Sequence, residues 1–381
     1  LLRWNAVENV NSDHPLPVAV FITSFHPGGT ERQMTELVRR LDRRRFEVHV
    51  ACFHREGAWL PRVEDAAPVT AFPIRGFARA ATLARAAAFA AWCRRRRIQV
   101  VQACDLYANV FALPAAALAG VPVRVGSRRE LNPDKSSGQI ALQRHAYRCA
   151  HAVVANSAAA RTHLEREGVP SARIHVIPNG VSVERFAPIA MVRPVRTFVT
   201  VANLRREKAH DVLLHAAARL APSHPDLRFV LAGGGPQEAE LKALATRLGI
   251  DAQVEFRGHV EDVPALLAGA DAFVLPSRTE AFPNAAIEAM AAGLPVVASA
   301  VGGLLDLIDD GRTGVLVPPD AVARLADAMA ALVAEPARAS RLGAAARAEV
   351  AARYSFDRMV RSFEDLYLTH LGLTTAQPCA A

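Results

Sequence analysis

Two doubly wound α/β domains in one chain are what the sequence predicts, and three observations carry that expectation. The chain has 381 residues, enough for two domains of ordinary size. Short apolar runs of strand length alternate with longer helical patterns through residues 18–180. After a loop rich in Pro, Arg and Val at Pro188–Val195, which reads as an interdomain linker, the alternation restarts and continues to about residue 317. Alternating strand and helix patterns are the signature of a parallel sheet with crossover helices.

In the first half the expected strands are Val18–Thr23, Phe46–Cys52, Val69–Pro73, Ile98–Gln102, Val121–Gly126, His151–Ala155 and Ile174–Ile177. Helical patterns such as Glu31–Leu41, Ala80–Cys93 and Ala108–Ala119 lie between them. In the second half the strands are Thr197–Ala202, Leu227–Ala232, Gln253–Arg257, Ala272–Leu275, Pro295–Ala298 and Gly314–Val317. The helices there are Asp211–Leu220, Pro236–Leu248, Val263–Leu267, Asn284–Ala292 and Ala321–Val333, and Asp357–Leu371 follows as a closing helix. The domains read as residues 15–187 and 195–355, with 356–371 packing back on the first. Ligands of such sheets bind at the carboxyl ends of the strands, so the space between the two sheets is the expected site.

Composition narrows the function classes. The chain is 51% hydrophobic and 22% charged, as soluble globular proteins are. Its five cysteines (Cys52, Cys93, Cys104, Cys149, Cys379) are scattered, without C-x-x-C spacing, which argues against a disulfide framework or zinc site and for a reducing compartment. The first 17 residues lack an apolar signal core, and the best apolar run, Phe111–Val123, is too short to span a bilayer and contains two prolines and a glycine. A cytoplasmic location is expected, with a peripheral place on the inner membrane face as an extension. The formal charge of +8 fits an anionic ligand or anionic membrane surface better than nucleic acid, for which no recognition motif is present and aromatics are only 6%.

Glu280 and Glu288 stand eight apart in SRTEAFPNAAIEAMAAGLPVVAS, residues 277–299. Pro283 fits the first turn of a helix whose remaining residues, Ala285–Ala292, are apolar except for Glu288. A helix apolar on every face is buried, and a lone carboxylate on it is costly unless hydrogen-bonded. Two readings stay open: a pair with Arg278 or Arg312, the nearest cations in sequence, or satisfaction by the hydroxyls of a ligand whose phosphate sits on the free N–H groups of the turn.

Three further motifs point toward an anion. In SFHPGGTERQ (24–33), Gly28 and Gly29 precede a helix; Thr30 and Gln33 have capping-box spacing, which predicts a start at Glu31. A plain tight turn is the alternative there. In VANLRREKAHDVLLHAA (201–217), Arg205, Arg206 and Lys208 sit at the positive end of a helix, the wrong sign for its dipole unless an anion such as a diphosphate faces them. In LAGGGPQEAELKALA (231–245), Glu238 stands where a dinucleotide motif needs its third glycine, so the segment reads as a tight turn. Two arginine groups, at 39–45 and 94–97, follow helices; they are either dipole-matching helix ends or a surface for anionic lipid. There is no Asp-x-Asp and no His-x-x-x-His, so no dedicated metal site is expected.

Together these segments resemble the retaining family-4 glycosyltransferases of the GT-B fold. The carriers are GGTE (28–31), IPNGV (177–181), NLRREKAHDVL (203–213), LAGGGP (231–236), VEFRGHV (254–260), EAFPNAAIEAMAAGLPVVA (280–298), VGGLLD (301–306) and GRTGVLVPP (311–319), spread from about Val18 to Leu371. The resemblance implies that Arg205 and Lys208 clamp a diphosphate and that Glu280 contacts the donor sugar, with Pro283 and the N–H groups of Phe282, Asn284 and Ala285 nearby. Glu288 would hold the ribose, Arg257 and Gly258 the base, and Gly28 and Gly29 would approach the diphosphate from the first domain. No cofactor or metal is implied beyond the nucleoside diphosphate sugar as co-substrate; the partners are that donor and a sugar or lipid-linked acceptor. Departures occur at Asn203, Ala209, Ala281 and Asp306. Where many members carry a first-domain histidine, the stretches read VVQACD (100–105) and VGSRRELN (125–132), leaving Asp105 or Arg129 for the acceptor side. The implied activity is a retaining hexosyl transfer in polysaccharide or glycolipid assembly. A sugar-nucleotide epimerase or hydrolase on the same fold, or a silent nucleotide-binding partner of an assembly complex, is the alternative.

Overall fold

The computed structural model describes residues 14–77, 79–131, 136–187 and 194–373, and within these the chain divides into two compact units. One comprises the chain up to Pro178 together with the segment from Phe356 onward; the other is Asn179–Ser355. The change of unit comes earlier than the expected boundary, because residues 179–187 belong with the second unit: Val181 bridges to Ser355, and Phe186 O accepts from Arg347 at 2.9 Å. Most of the expected linker, residues 188–193, lies outside the described residues.

The first unit is built on a parallel sheet of β1 (Leu16–Ile22), β2 (Phe46–Cys52), β3 (Val69–Ala71), β4 (Val100–Ala103), β5 (Val123–Arg128), β6 (Ala152–Ala155) and β7 (Ile174–Val176), in the order β3-β2-β1-β4-β5-β6-β7. Its helices are α1 (Gly29–Arg40), α2 (Leu60–Glu64), α3 (Ala80–Arg95), α4 (Leu106–Leu118), α5 (Ser137–Tyr147) and α6 (Ala158–Arg166). The second unit carries β8 (Thr197–Val201), β9 (Arg228–Ala232), β10 (Val254–Gly258), β11 (Ala272–Leu275), β12 (Val296–Ser299) and β13 (Val315–Val317), also parallel, in the order β10-β9-β8-β11-β12-β13. Around it lie α7 (His210–Leu220), α8 (Glu238–Arg247), α9 (Val263–Ala268), α10 (Asn284–Ala291), α11 (Leu304–Leu307), α12 (Val322–Ala334) and α13 (Pro336–Arg353). The last helix, α14 (Phe356–His370), returns to the first unit, where Phe356, Met359, Val360, Phe363 and Tyr367 join the core under α1 and β1.

Each sheet is apolar on both faces, as a parallel sheet covered by helices requires. In the first, Val18, Val20 and Ile22 face one core cluster and Ala19 and Phe21 the other. The order reverses around β1/β4 and β8/β11, and such switch points are where ligands of these folds bind. No helix of the described residues is long and apolar enough to cross a membrane.

Candidate active site

In the second unit the carboxyl ends of β8 to β12 are stitched by main-chain bonds. Leu204 N donates to Gly234 O at 3.0 Å, Gly233 N to Gly258 O at 2.7 Å, Arg278 N to Glu207 O at 2.8 Å and Gly303 N to Glu280 O at 3.0 Å. Glycines permit the approach: a Cβ on Gly302 would lie 1.8 Å from Glu280 O, and one on Gly233 2.0 Å from Ala202 O. The LAGGGP segment is thus a loop-packing turn, as its spacing suggests.

This stitching brings Lys208 and Glu280, 72 residues apart, into contact at 2.6 Å between Nζ and Oε1. Lys208 ends a 3-10 turn, Arg206–Lys208, after β8; Glu280 sits in the loop after β11. Ser277 Oγ donates to the same Glu280 oxygen at 2.7 Å. Sequence reasoning missed Ser277, although S-x-x-E spacing at 277–280 was a signal for a local side-chain bond. Glu280 is 7% exposed, whereas Arg205 is exposed on the same turn and makes no side-chain bond among the described residues. Four residues of the loop and helix that follow complete the group: Phe282, packed on Tyr354, Pro283, Asn284, which accepts from Asn179 Nδ2 at 2.7 Å, and Ala285. Pro283 caps α10 rather than opening it, and the helix starts at Asn284.

Glu288 lies on α10 and is buried with its neighbours Ala286 to Ala291. The two nearby cations are committed elsewhere: Arg278 to Asp211 and Asp320, Arg312 to Asp309 and Glu349. The reading in which one of them pairs Glu288 is therefore corrected. His210, the first residue of α7, went unnoticed in the sequence. It is fully buried, neither ring nitrogen has a hydrogen-bond partner, and burial with the Lys208 charge beside it lowers its pKa to about 4.

Gly258 belongs to the stitched edge, but the Arg257 side chain pairs with Glu255 and lines a separate concavity of about 440 Å³ with Thr197, Arg228 and Leu266. None of Arg205, Lys208, Glu280 or Glu288 lines it.

In the first unit, Gly28 is the extended N-cap of α1, which starts at Gly29, two residues before the expected point, and the Thr30–Gln33 capping box does not form. Glu31 in the first turn supplies the acidic group at the helix's positive end instead. Burial pushes the Glu31 carboxyl up, against its own main-chain N–H, and Asp105 and Glu130 add to the rise. Asp105 caps α4: Oδ1 accepts from Ala108 N at 2.9 Å and Thr23 Oγ1 at 2.8 Å, and Oδ2 from Thr23 N at 3.1 Å. Its oxygens are thus already engaged within the fold. Arg129, at the end of β5, is buried, which lowers its pKa to about 10 against the pull of Cys104 and Glu31. Gly28 and Gly29, Glu31, Asp105 and Arg129 therefore share the carboxyl edge of β1, β4 and β5. Among the described residues no group of three His, Cys, Asp or Glu side chains is placed to hold a metal ion.

The family profile described as Glycosyl transferases group 1 matches residues 188–349, and that described as Glycosyltransferase Family 4 matches residues 27–185. A glycogen synthase of Mycobacterium tuberculosis is 36% identical over 203 residues, 52% of this chain and 49% of that protein, so the alignment spans about half the length of such relatives. A D-inositol 3-phosphate glycosyltransferase of Streptomyces scabiei is 30% identical over 385 residues, covering 89% of this chain and 86% of the relative. Among solved structures, Anabaena HepE in complex with UDP and glucose has a TM-score of 0.81 at 22% identity, over 92% of this chain and 98% of that one. The likeness in structure gives the GT-B fold. With the two profiles lying end to end and one relative aligned along most of both chains, this chain belongs to the group 1, family 4 glycosyltransferases.

Proposed function

We propose that the chain transfers a hexosyl unit from a nucleoside diphosphate sugar to a sugar or lipid-linked acceptor, with retention of anomeric configuration. The observation that carries this reading is the Lys208–Glu280–Ser277 cluster at the carboxyl ends of β8 and β11, with Arg205 unpartnered beside it. In the reaction the bond from the sugar C1 to the diphosphate oxygen breaks, and its electron pair leaves with the diphosphate. The acceptor hydroxyl oxygen bonds to C1 on the same face, and its proton passes to the departing phosphate oxygen. Arg205 and Lys208 stabilise the charge that develops. Glu280 orients the donor sugar hydroxyls and Glu288 the ribose. Arg129, with Glu31 near it, is the better candidate for the acceptor side, because the oxygens of Asp105 are taken by Thr23 and Ala108.

Relatives suggest both bases for the donor. A mannosyltransferase of Mycolicibacterium smegmatis, 34% identical over 199 residues, is described as GDP-mannose-dependent, and HepE has been crystallised with UDP-glucose. The test is therefore a thermal-shift screen of UDP, GDP and their sugars on wild type and Lys208→Ala. A ligand at 100 times its dissociation constant stabilises by about 2.7 kcal/mol, which is readily seen as a rise in Tm. One nucleotide family should raise the wild-type Tm and do less for Lys208→Ala. No rise with any of them would overturn the reading.

An anionic membrane surface is the proposed location of the acceptor. Support comes from α3 and the end of α4: no acidic residue occurs between Asp65 and Asp105, Arg94–Arg97 are exposed at the end of α3, and Leu83 on α3 and Leu118 on α4 are 75% and 80% exposed. The other arginine group is largely engaged inside the first unit, Arg40 and Arg45 pairing with Asp357 and Glu364 of α14, and Arg43 bonding to Val38 O and Ala66 O.

A further inference from the structure

Arg278 lies two residues before Glu280 and joins three segments of the second unit. Its Nη1 donates to Arg206 O at 2.6 Å and Asp211 Oδ1 at 3.2 Å, its Nη2 to Asp211 Oδ2 at 2.8 Å, and its Nε to Asp320 Oδ1 at 2.7 Å. Four of the five guanidinium N–H groups are thereby used, so the side chain has little left for a ligand. Burial alone would raise the Asp211 carboxyl, but the Arg278 bonds outweigh it and hold it below the usual carboxylate range.

A second observation concerns the backbone those bonds surround. Among the described residues three non-glycine positions have positive φ: Arg97, Ala209 at +52° and Asp320 at +59°. Two of the three lie on segments that Arg278 grips. A left-handed L-residue is strained, and such strain persists where the surroundings over-determine it. Ala209 is the hinge that takes the chain from Lys208 into α7, and Arg278 holds it from both sides, at Arg206 and Asp211.

We propose that Arg278 is a positioning residue: by fixing the left-handed turn at Ala209 it sets Lys208 against Glu280 and pre-forms the phosphate-facing side of the site. The inference rests on the reading of Lys208 given above. It also separates function from stability. The ion pairs are partly exposed, with Arg278 at 34%, Asp211 at 43% and Asp320 at 58%, and pairs of that kind add little to stability.

The experiment compares Arg278→Met, Arg278→Lys, the double variant Arg278→Met with Ala209→Gly, and Lys208→Ala. UDP and GDP are the calorimetric probes, alongside Tm and amide exchange over residues 205–211. Arg278→Met should keep a Tm close to wild type, raise exchange in that window, and weaken nucleoside diphosphate binding on the order of ten-fold to a hundred-fold, the scale of a misplaced site group. Arg278→Lys should fall between. Adding Ala209→Gly should restore most of the affinity, since glycine adopts the left-handed turn without a clamp. The positioning role is overturned if Arg278→Met binds as wild type while Lys208→Ala binds weakly, or if affinity falls only in step with Tm and Ala209→Gly restores none of it. If Lys208→Ala also binds as wild type, or wild type binds neither probe, the reading of the site has failed and the positioning role with it.

Discussion

Lys208 Nζ and Glu280 Oε1 lie 2.6 Å apart, so the cation expected to meet a phosphate is already held by the carboxylate expected to meet a sugar. The pair fixes both groups before any ligand arrives, and a bound diphosphate would share Lys208 with Glu280. The two are therefore predicted to be coupled. Lys208→Ala leaves a buried carboxylate with Ser277 as its remaining side-chain partner and should cost about 1–3 kcal/mol of stability. Glu280→Gln should weaken nucleotide binding less than Lys208→Ala while impairing transfer. A double-mutant cycle in stability should show a coupling of about 0.5–3 kcal/mol, as for residues in direct contact. Additive effects would show that the contact contributes nothing.

Glu288 is the other buried carboxylate of this group. Arg278 and Arg312, the cations near it in sequence, are bound to Asp211, Asp320, Asp309 and Glu349. Combining Glu288→Gln with Arg312→Met should thus be additive in Tm-derived free energy to within about 0.3–0.5 kcal/mol. Glu288→Gln alone should lower affinity for the nucleoside diphosphate. A large coupling with Arg312 would return Glu288 to a structural role.

The sequence announced the two sheets because parallel strands buried on both faces read as short apolar runs, and Phe46–Cys52 and Ala272–Leu275 were expected at their observed limits. It did not announce α13: the run Pro336–Arg353 is alanine and arginine with little periodicity, and its place is set by close packing, where a Cβ on Gly343 would fall 2.0 Å from Gly293 O. The start of α1 was misjudged because Thr30 and Gln33 mimic a capping box while Glu31 sits at the positive end of the helix. Within the site, individual residues were legible from motif order, but their partners were not. Nothing local in sequence links Lys208 to Glu280, or Arg278 to Asp211, 67 residues away. Those contacts exist only because β8 and β11 are neighbours in the sheet.

Acid should destabilise the protein in a window set by buried neutral histidines. Burial, with the Lys208 charge, lowers His210 to about 4; burial, with Arg124, His370 and Arg173, lowers His151 to about 4. The unfolded chain binds these protons near pH 6.5 and the folded one only near pH 4, so their stability contribution is full above pH 6.5 and is lost progressively as pH falls toward 4. Glu31 and Asp105, whose carboxyls are raised by burial, oppose this trend in the lower part of the window. For fully buried His210 the loss reaches about 3 kcal/mol at most. Because neither of its ring nitrogens has a partner, His210→Leu should be neutral or stabilising at pH 7 and should flatten the slope of stability between pH 6.5 and 4. An unchanged slope in that variant would show that His210 does not titrate as described.

Activity should survive EDTA. Arg205 and Lys208 are the groups proposed to take the phosphate charge, the sequence has no Asp-x-Asp, and the described residues contain no cluster of three metal-ligating side chains. Transfer measured after extensive chelation should match the untreated enzyme. Complete loss, restored by Mn²⁺ or Mg²⁺, would place a metal in the reaction.

The two arginine groups should part company on lipid. Arg40 and Arg45 pair with Asp357 and Glu364 of α14, so substituting them should register as altered packing of α1 and α14. Arg94–Arg97 are exposed at the end of α3; Arg94 bonds to Leu118 O, and exposed Leu118 adds an apolar contact at the same place. Each cation near an anionic surface contributes about 1 kcal/mol, and the attraction is screened over about 8 Å at physiological salt. Wild type should therefore co-sediment with anionic liposomes at low salt, leave them as salt rises, and ignore neutral ones. Changing Arg95, Arg96 and Arg97 together to Gln should abolish recovery with anionic liposomes and lower Tm only slightly, through the lost helix-end charges, because these side chains form no hydrogen bond or ion pair within the described fold. Changing Arg40 and Arg45 to Gln should leave recovery near the wild-type level and lower Tm slightly. Equal recovery of wild type with anionic and neutral liposomes would reduce Arg94–Arg97 to charges that match the helix dipole of α3.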